Sequence, residues 1–401
     1  MTLKEELEIL RGEPIKVFDG DPMDIPCIET SDAEKLCKHP VVSVQMCTYN
    51  HEPYIRQAIE GVMMQKTDFE FELVIGEDAS QDKTREICFE YQKKYPDKIR
   101  VLWWHENVMK FGGNSRRVRA HCRGEFIALC EGDDYWIDSL KLQKQVDVMR
   151  RYPEVGFCFC GSKIYRGATE SWEVWDKNGV GFSPGLIPSR KFMLWTICGK
   201  NPLEQWGPEF FIMTATFMYR ASVHRKVMLN LDIFKWRLKV GDSVLCLGMA
   251  SESDVYYLKD VVSVYRQMPS GLTMTARTNG VLDRETYIVR YYYFKKFFST
   301  KLYFLPRWIR TVFCLSMLND LKGKSSAEQK SYYRALSTNA PDADVFSGGD
   351  MFLCRCLLNF GLYKGLLAKF ARAFRVWYCR YLRYQIPHQL QSFYDELDGS
   401  R

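Results

Sequence analysis

The feature that most constrains the fold is an alternation of apolar runs and amphipathic segments between residues 41 and 130. Four runs rich in apolar and β-branched residues have the length of buried strands and lie at 41–47, 71–76, 99–103 and 124–130. The segments between them predict helices over 54–64, 84–95 and 114–122. Strands that alternate with helices at this spacing form a parallel sheet with helices on its faces. We therefore predict an α/β fold.

Three regions differ in pattern. Residues 1–40 are a polar lead-in with one short helix, residues 41–275 form the main domain, and residues 276–401 are expected to be a basic, aromatic α-helical extension. A hydrophobic content of 46% excludes disorder over most of the chain. Residues 1–14 lack the apolar core of a secretory signal, and the 14 cysteines include no C-x-x-C pair. We therefore expect a cytoplasmic protein with reduced thiols. We expect no membrane-spanning helix, because the sequence has no apolar run of the required length.

Positive charge is concentrated toward the C-terminal end. Residues 284–383 contain 18 Lys or Arg and six Asp or Glu, a net charge of +12, so the other residues carry −5 of the total of +7. Residues 351–394, called here the basic tail, contain no acidic residue. The cations of the basic tail are Arg355, Lys364, Lys369, Arg372, Arg375, Arg380 and Arg383.

Aromatic side chains accompany these cations at helical spacing, as in Phe370, Phe374, Trp377 and Tyr381. The run at 291–298 likewise combines aromatic residues with lysines. Such helices are typical of segments that lie in an anionic membrane surface. The alternative is a helical appendage packed on the main domain, with its cations in solvent. We favour peripheral contact with the inner face of the cell membrane. No nucleic-acid partner is expected, because no recognised binding module accompanies the tail.

Polar residues follow three of the predicted strands, at 48–50, at 77–78 and at 131–134. In a parallel sheet these carboxyl ends lie at one edge, where ligands bind. Asp133 and Asp134, with Glu131 two residues earlier, offer oxygen ligands that suit Mg²⁺ or Mn²⁺. The alternative is a solvated acidic turn.

Three further residues each allow two interpretations. Asp78 could accept a hydrogen bond from a nucleobase or ribose, or could form an Asx turn before a helix. Tyr49 could stack on a base or simply close its loop. Asp242, just before an apolar helix, could be a helix N-cap or a general base that takes a proton from an acceptor hydroxyl.

Residues 41–275 resemble the family 2 glycosyltransferases, whose GT-A fold is a Rossmann-like, mostly parallel sheet flanked by helices. The resemblance rests on several motifs in the same order as in the family. They are found at residues 42–50, 73–84, 107, 112–114, 124–136, 141–142, 241–242 and 261–266.

The resemblance implies a nucleotide-sugar site that uses Mn²⁺ or Mg²⁺. The donor would be bound by Thr48, Tyr49, Glu52, Asp78, Asn107, Glu131 and Asp133. Asp133 and Asp134 stand where the family's DXD motif binds ribose and metal, and Asp242 would be the base of an inverting displacement. We expect a metal-dependent hexosyltransferase that moves a sugar, from a UDP-sugar, to a saccharide or lipid-linked acceptor in bacterial surface polysaccharide synthesis.

Two other functions remain open. One is a membrane-tethered protein that binds a nucleotide-sugar or glycan without turnover. The other is a nucleotidyltransferase, although the Gly/Arg/Lys-rich phosphate loop of that class is missing from the N-terminal part.

Two departures from the family pattern concern the metal. Glu131 replaces the first aspartate of the motif, and Met268 lies near the place where related chains often have a histidine. A thioether is a poor ligand for Mg²⁺, so Arg266, Ser270 or Thr273 would have to substitute. Asp133 and Asp134 would then carry more of the coordination than the family pattern requires.

Overall fold

The computed structural model describes residues 2–11, 14–18, 20–108, 113–175, 182–198, 212–269, 271 and 281–298. Within these residues the strands are β1 (Ile28–Thr30), β2 (Val42–Thr48), β3 (Phe71–Glu77), β4 (Ile99–Trp103), β5 (Phe126–Leu129), β6 (Tyr135–Trp136), β7 (Val155–Arg166), β8 (Ser171–Trp175), β9 (Gly185–Ile187), β10 (Met218–Arg220) and β11 (Asp254–Gln267). The helices are α1 (Leu3–Arg11), α2 (Ile55–Met63), α3 (Thr84–Lys94), α4 (Asn114–His121), α5 (Lys141–Arg151), α6 (Ser189–Cys198), α7 (Ala221–Asn230), α8 (Gly241–Glu252) and α9 (Val281–Phe297).

These strands form one sheet in the order β1-β4-β3-β2-β5-β10-β7-β11-β6, with β8 beside β7 and β9 beside β11. The strands β4, β3, β2 and β5 are mutually parallel, and Thr48 at the end of β2 is in register with Glu77 at the end of β3. β10 is antiparallel to both of its neighbours, while β7 and β11 run parallel to each other. The predicted mostly parallel α/β sheet is confirmed.

Alternate side chains of the strands pack against helices on opposite faces of the sheet. In β5, Phe126 and Ala128 join a core formed with α2, α3 and α5, whereas Ile127 and Leu129 join the core formed with α6 to α9. A strand covered on both faces has no polar side, which explains the continuous apolar runs in the sequence.

Two features of the second half depend on pairing between distant strands. The apolar stretches at 255–258 and 261–265 form the single strand β11, with irregularities in register opposite β7. Residues 166–190 contain the short strands β8 and β9. Pairing with β7 and β11 supplies the hydrogen bonds of these strands, and no local pattern reveals it.

The lead-in and the start of the C-terminal region both pack on the main domain. β1 extends the sheet beside β4, and Leu7 of α1 is fully buried. Arg11 of α1 forms an ion pair of 2.9 Å with Glu285 of α9.

The aromatic run at 291–298, at the start of the C-terminal region, was expected to face a membrane in the same way as the basic tail. Tyr291 to Phe294 instead lie in the core, and the hydroxyl of Tyr293 donates to the carbonyl of Val244 at 2.9 Å. This part of the extension therefore follows the packed alternative. The basic tail lies outside the described residues. No helix in the described part of the chain is both long enough and apolar enough to cross a membrane.

Candidate functional site

The acidic loop, defined here as Glu131 to Asp134, follows β5 directly and lies against the end of β2. The amide of Gly132 donates to the carbonyl of Cys47 at 2.9 Å. A Cβ atom on Gly132 would lie 2.6 Å from Oγ1 of Thr48 and 2.9 Å from Nδ1 of His51. The loop can approach β2 this closely only because residue 132 has no side chain. The expected convergence of these two strand ends is therefore present.

Asp133 projects from this loop toward solvent and toward a histidine. Its carboxylate is about one-third exposed (36%), and its Oδ2 atom lies 3.9 Å from Nε2 of His51. The other ring nitrogen of His51 is 3.2 Å from Oγ1 of Thr48, which is itself buried. Burial lowers the pKa of His51, and the carboxylates of Asp133 and Asp82 oppose that shift. The sequence analysis missed His51, although it lies only three residues beyond the end of β2.

Asp134 points in a different direction and is only 1% exposed. Its Oδ1 atom accepts a hydrogen bond of 2.9 Å from the amide of Arg266, at the end of β11. Burial, followed by the charge of Asp133, raises the pKa of Asp134 well above its usual range. The side chain of Asp134 is therefore held inside the protein, whereas that of Asp133 reaches solvent.

Arg266 closes the same side of the loop. Its guanidinium donates to the carbonyl of Asp133 at 2.6 Å and to the side chain of Gln57. The same group stacks on the rings of Tyr54 and Tyr135, with its central carbon 5.1 and 4.4 Å from the ring centroids. This cation is fixed near Asp133, two residues before Met268, which lies near the place where related chains often have a histidine. Ser270 and Thr273 lie outside the described residues.

Glu131 and Asp242 influence each other electrostatically. Burial, then the charge of Asp133, raises the pKa of Glu131 to about 7. Burial also raises the pKa of Asp242. The N-cap of α8 is Val240 and not Asp242, and the carboxylate of Asp242 accepts a 2.7 Å hydrogen bond from the amide of Ser243. A carboxylate whose pKa is raised is a stronger proton acceptor than a free aspartate.

Asp78 is buried just after β3, where two donors reach its carboxylate. Oδ1 accepts from the amide of Val108 at 2.8 Å, and Oδ2 accepts from the side chain of Asn107 at 2.8 Å. Burial raises the pKa of Asp78, while the Val108 amide and the charge of the buried Arg117 oppose the shift. Asp78 and Asn107 are thus brought together, as the donor-site prediction requires.

Glu52 and Tyr49 lie in the loop between β2 and α2. Glu52 accepts from the amide of Lys83 at 3.1 Å, and its own amide donates to Asp82 at 3.0 Å, so the two residues join this loop to the start of α3. Tyr49 is 43% exposed beside Asn50, whose φ is 54°. Glu52 therefore has a structural part in the loop, whereas the ring of Tyr49 is open to a ligand.

The side chains of this site suit a divalent cation that takes some of its ligands from the protein and the others from the substrate. Among the described residues there is no cluster of three or more His, Cys, Asp or Glu side chains that could enclose a metal. Mg²⁺ commonly uses one or two protein carboxylates together with substrate phosphates and water. Asp133, exposed and next to His51, is the carboxylate of the acidic loop that suits this arrangement.

Comparison with known proteins decides the family. Residues 43–228 match the model of glycosyl transferase family 2. This part of the chain belongs to that family. The matched segment includes the acidic loop and Asp78, and it ends before Asp242.

Relatives and one solved structure agree with the assignment. An uncharacterised protein of Mycobacterium tuberculosis is 32% identical over 240 residues, which are 59% of this chain and 62% of that protein. The dolichyl-phosphate beta-glucosyltransferase of Homo sapiens is 27% identical over 53% of this chain and 67% of its own length. The crystal structure of S. aureus TarS has a TM-score of 0.50 and 18% identity, covering 79% of this chain and 53% of that one. The likeness to TarS concerns the fold, and the predicted GT-A fold is confirmed.

Proposed function

We propose that the protein is an inverting, metal-dependent hexosyltransferase that takes a sugar from a nucleotide-sugar donor, a UDP-sugar. The observation that carries the proposal is the geometry of one edge of the family domain. Asp78 follows β3, Glu131 and Asp133 follow β5 on the other side of β2, and the charge of Asp242 acts on Glu131. The family match and this edge together support a transferase over a nucleotidyltransferase.

Each residue has a proposed task. The open ring of Tyr49 stacks on the base, and the pair of Asp78 and Asn107 binds the base or ribose. Glu131 binds the ribose side of the donor. Asp133 would hold Mn²⁺ or Mg²⁺, which would supply positive charge against the leaving diphosphate. Asp134 is assigned a positioning task instead, because its carboxyl group fixes the end of β11 to the acidic loop.

Asp242 is the proposed base. Its carboxylate takes the proton of the acceptor hydroxyl as that oxygen attacks the anomeric carbon, and the bond from this carbon to the diphosphate breaks. One displacement of this kind inverts the anomeric configuration, and no covalent intermediate with the protein is needed.

We also propose that the acceptor is a saccharide or a lipid-linked molecule used in surface polysaccharide synthesis, reached at the inner face of the cell membrane. The support is the basic tail together with the human relative, whose name specifies a dolichyl-phosphate substrate. The chain matches only 62% of the length of its mycobacterial relative, so acceptor and pathway do not follow from that likeness.

The test combines donor screening with a single substitution. The full chain is incubated with UDP- and GDP-sugars, with and without Mn²⁺, and nucleotide release and sugar transfer are measured. Asp242→Asn should keep metal-dependent UDP binding and lose transfer by about 10² to 10⁴-fold. Asp147→Asn, an exposed carboxylate on α5, is the control and should behave as the wild type. Equal transfer by Asp242→Asn would remove Asp242 as the base, and UDP binding without any turnover would favour the non-catalytic alternative.

A further inference from the structure

The hairpin formed by β7 and β8 carries a tryptophan that is open to solvent. Trp172 on β8 is 57% exposed, and its ring centroid lies 4.9 Å from that of Tyr165, its partner in register on β7. Tyr165 and Trp172 are called here the aromatic platform. An exposed ring does not by itself indicate a binding site, so the position of the platform in the sheet decides what it can bind.

The aromatic platform lies at the same edge of the sheet as the acidic loop. β10 is antiparallel to both β5 and β7, and β7 is parallel to β11, so β5, β7 and β11 all end at this edge. Tyr165 is in register with Arg266, whose guanidinium donates to the carbonyl of Asp133 at 2.6 Å. Neighbouring strands are about 4.8 Å apart, so the backbone of Trp172 lies about 10 Å from that of Arg266, across β7.

The platform also lies on the face of the sheet that carries the proposed base. Every second side chain of a strand points to the same face, so Tyr165 shares its face with Phe157 and Phe159. These two rings belong to the core formed with α6 to α9. Helix α8 packs on β7 in that core and ends at Glu252, just before β11 begins. Its first turn, with Asp242, therefore lies toward the edge at which β7 and β11 end.

The hairpin that presents the platform is fixed to the end of β11. The amide of Gly167 donates to the carbonyl of Gln267 at 3.0 Å, and the guanidinium of Arg166 donates to the side chain of Gln267. Arg166 also forms an ion pair of 2.6 Å with Glu173 on β8. A Cβ atom on Gly167 would lie 2.7 Å from Sδ of Met268, so the turn packs against the residues that follow β11. These contacts hold the platform in a fixed position relative to the acidic loop.

We propose that the aromatic platform binds a sugar ring of a saccharide acceptor. This inference rests on the proposed function, because it describes the acceptor as a saccharide chain that extends from Asp242 toward β8. One face of a pyranose ring consists of C–H groups, and such groups pack on the electron-rich face of an aromatic ring.

The surroundings of the platform favour a sugar over a lipid or a protein. The hydroxyl groups of a sugar need hydrogen-bond partners, and the side chains of Lys163, Thr169 and Ser171 are exposed beside the two rings. An aromatic surface with a polar rim provides both kinds of contact. A lipid chain or a protein partner would call for a wider apolar surface.

The test is calorimetric titration of the full chain with cellotriose and, separately, with triacetylchitotriose, each with and without UDP and Mn²⁺. Trp172→Ala should weaken binding of at least one trisaccharide by roughly tenfold or more. Trp172→Phe keeps an aromatic face and should weaken it less, whereas Trp172→Leu should weaken it as much as alanine does. Val174→Ala is the matched control, since Val174 is 52% exposed on the same face of β8 but lies farther from the acidic loop. Its trisaccharide affinity should equal that of the wild type.

Thermal unfolding and two binding assays separate the proposal from its alternatives. Trp172→Ala should unfold at nearly the wild-type temperature, because more than half of the ring is exposed. The proposal is overturned if the wild type binds neither trisaccharide or if Trp172→Ala binds both as the wild type does. It is also overturned if Trp172→Ala loses only binding to phosphatidylserine vesicles, or only self-association in sedimentation velocity, because Trp172 would then contact a membrane or a second copy of the chain.

UDP binding distinguishes this inference from the proposed function. Trp172→Ala should bind UDP with wild-type affinity and should raise the KM for a saccharide acceptor. If the wild type binds UDP and transfers sugar while Trp172→Ala leaves that KM unchanged, the inference fails and the proposed function stands. If the trisaccharides bind through Trp172 but UDP does not bind at all, the donor site and the proposed function fail, and only the sugar-binding surface stands.

Discussion

Replacing Gly132 with alanine should test whether the acidic loop depends on its close approach to β2. The new Cβ would lie 2.6 and 2.8 Å from Oγ1 and Cβ of Thr48, and 2.9 Å from Nδ1 of His51. The side chain of Thr48 is buried and cannot turn away, so the loop that carries Asp133 must move outward by a large part of an ångström. Overpacking of this kind costs about 1–3 kcal/mol, which corresponds to about 2–10 °C in melting temperature.

The same displacement should also reduce the rate of sugar transfer. A shift of about 1 Å in a catalytic group can lower the rate roughly 100-fold. The assays are thermal unfolding, metal-dependent UDP binding and sugar transfer. Gly241→Ala is the control, since no atom lies within 4 Å of a Cβ at that position, at the first residue of α8. It should be neutral or stabilising by up to about 1 kcal/mol.

A second substitution tests the cause of the defect. Thr48→Ala in the Gly132→Ala chain removes the shortest of the three contacts and should recover part of the lost stability. The reasoning is refuted if Gly132→Ala unfolds at the wild-type temperature and transfers sugar at the wild-type rate.

Two further predictions concern charge. Because the folded pKa of Glu131 is raised from 4.5 to about 7, its contribution to stability is fully present below about pH 4.5 and is lost as the pH rises toward 7. The metal-free wild type should therefore lose on the order of 1–3 kcal/mol more stability between pH 5 and 8 than Glu131→Gln, and equal slopes in pH-dependent unfolding would contradict this. In a co-sedimentation assay, the full chain should bind vesicles that contain anionic phosphatidylserine and should not bind purely zwitterionic vesicles. Replacing the seven cations of the basic tail with glutamine should abolish this binding. Equal binding to anionic and zwitterionic vesicles would favour a packed appendage.

Much of the fold could be predicted from local pattern. The four apolar runs between residues 41 and 130 matched β2 to β5 because each strand is covered on both faces, and such strands read as continuous apolar segments. The short strands β8 and β9 could not be predicted in this way, since their stability comes from pairing with distant strands. The residues proposed for the site were found because parallel topology brings strand ends to one edge, whereas His51 carried no comparable signal.

The sequence alone determined that an acidic loop would follow a buried strand, with a glycine at its second position and carboxylates at the two positions after it. Only the tertiary structure distinguished the two neighbouring aspartates. Asp133 is one-third exposed beside His51, while Asp134 is buried against the amide of Arg266, 132 residues further along the chain. The physical reason is that consecutive side chains leave a tight loop in different directions, and what each one meets is decided by strands that are distant in sequence. The acidic loop therefore leaves one carboxylate open to solvent and uses the other to hold the end of β11.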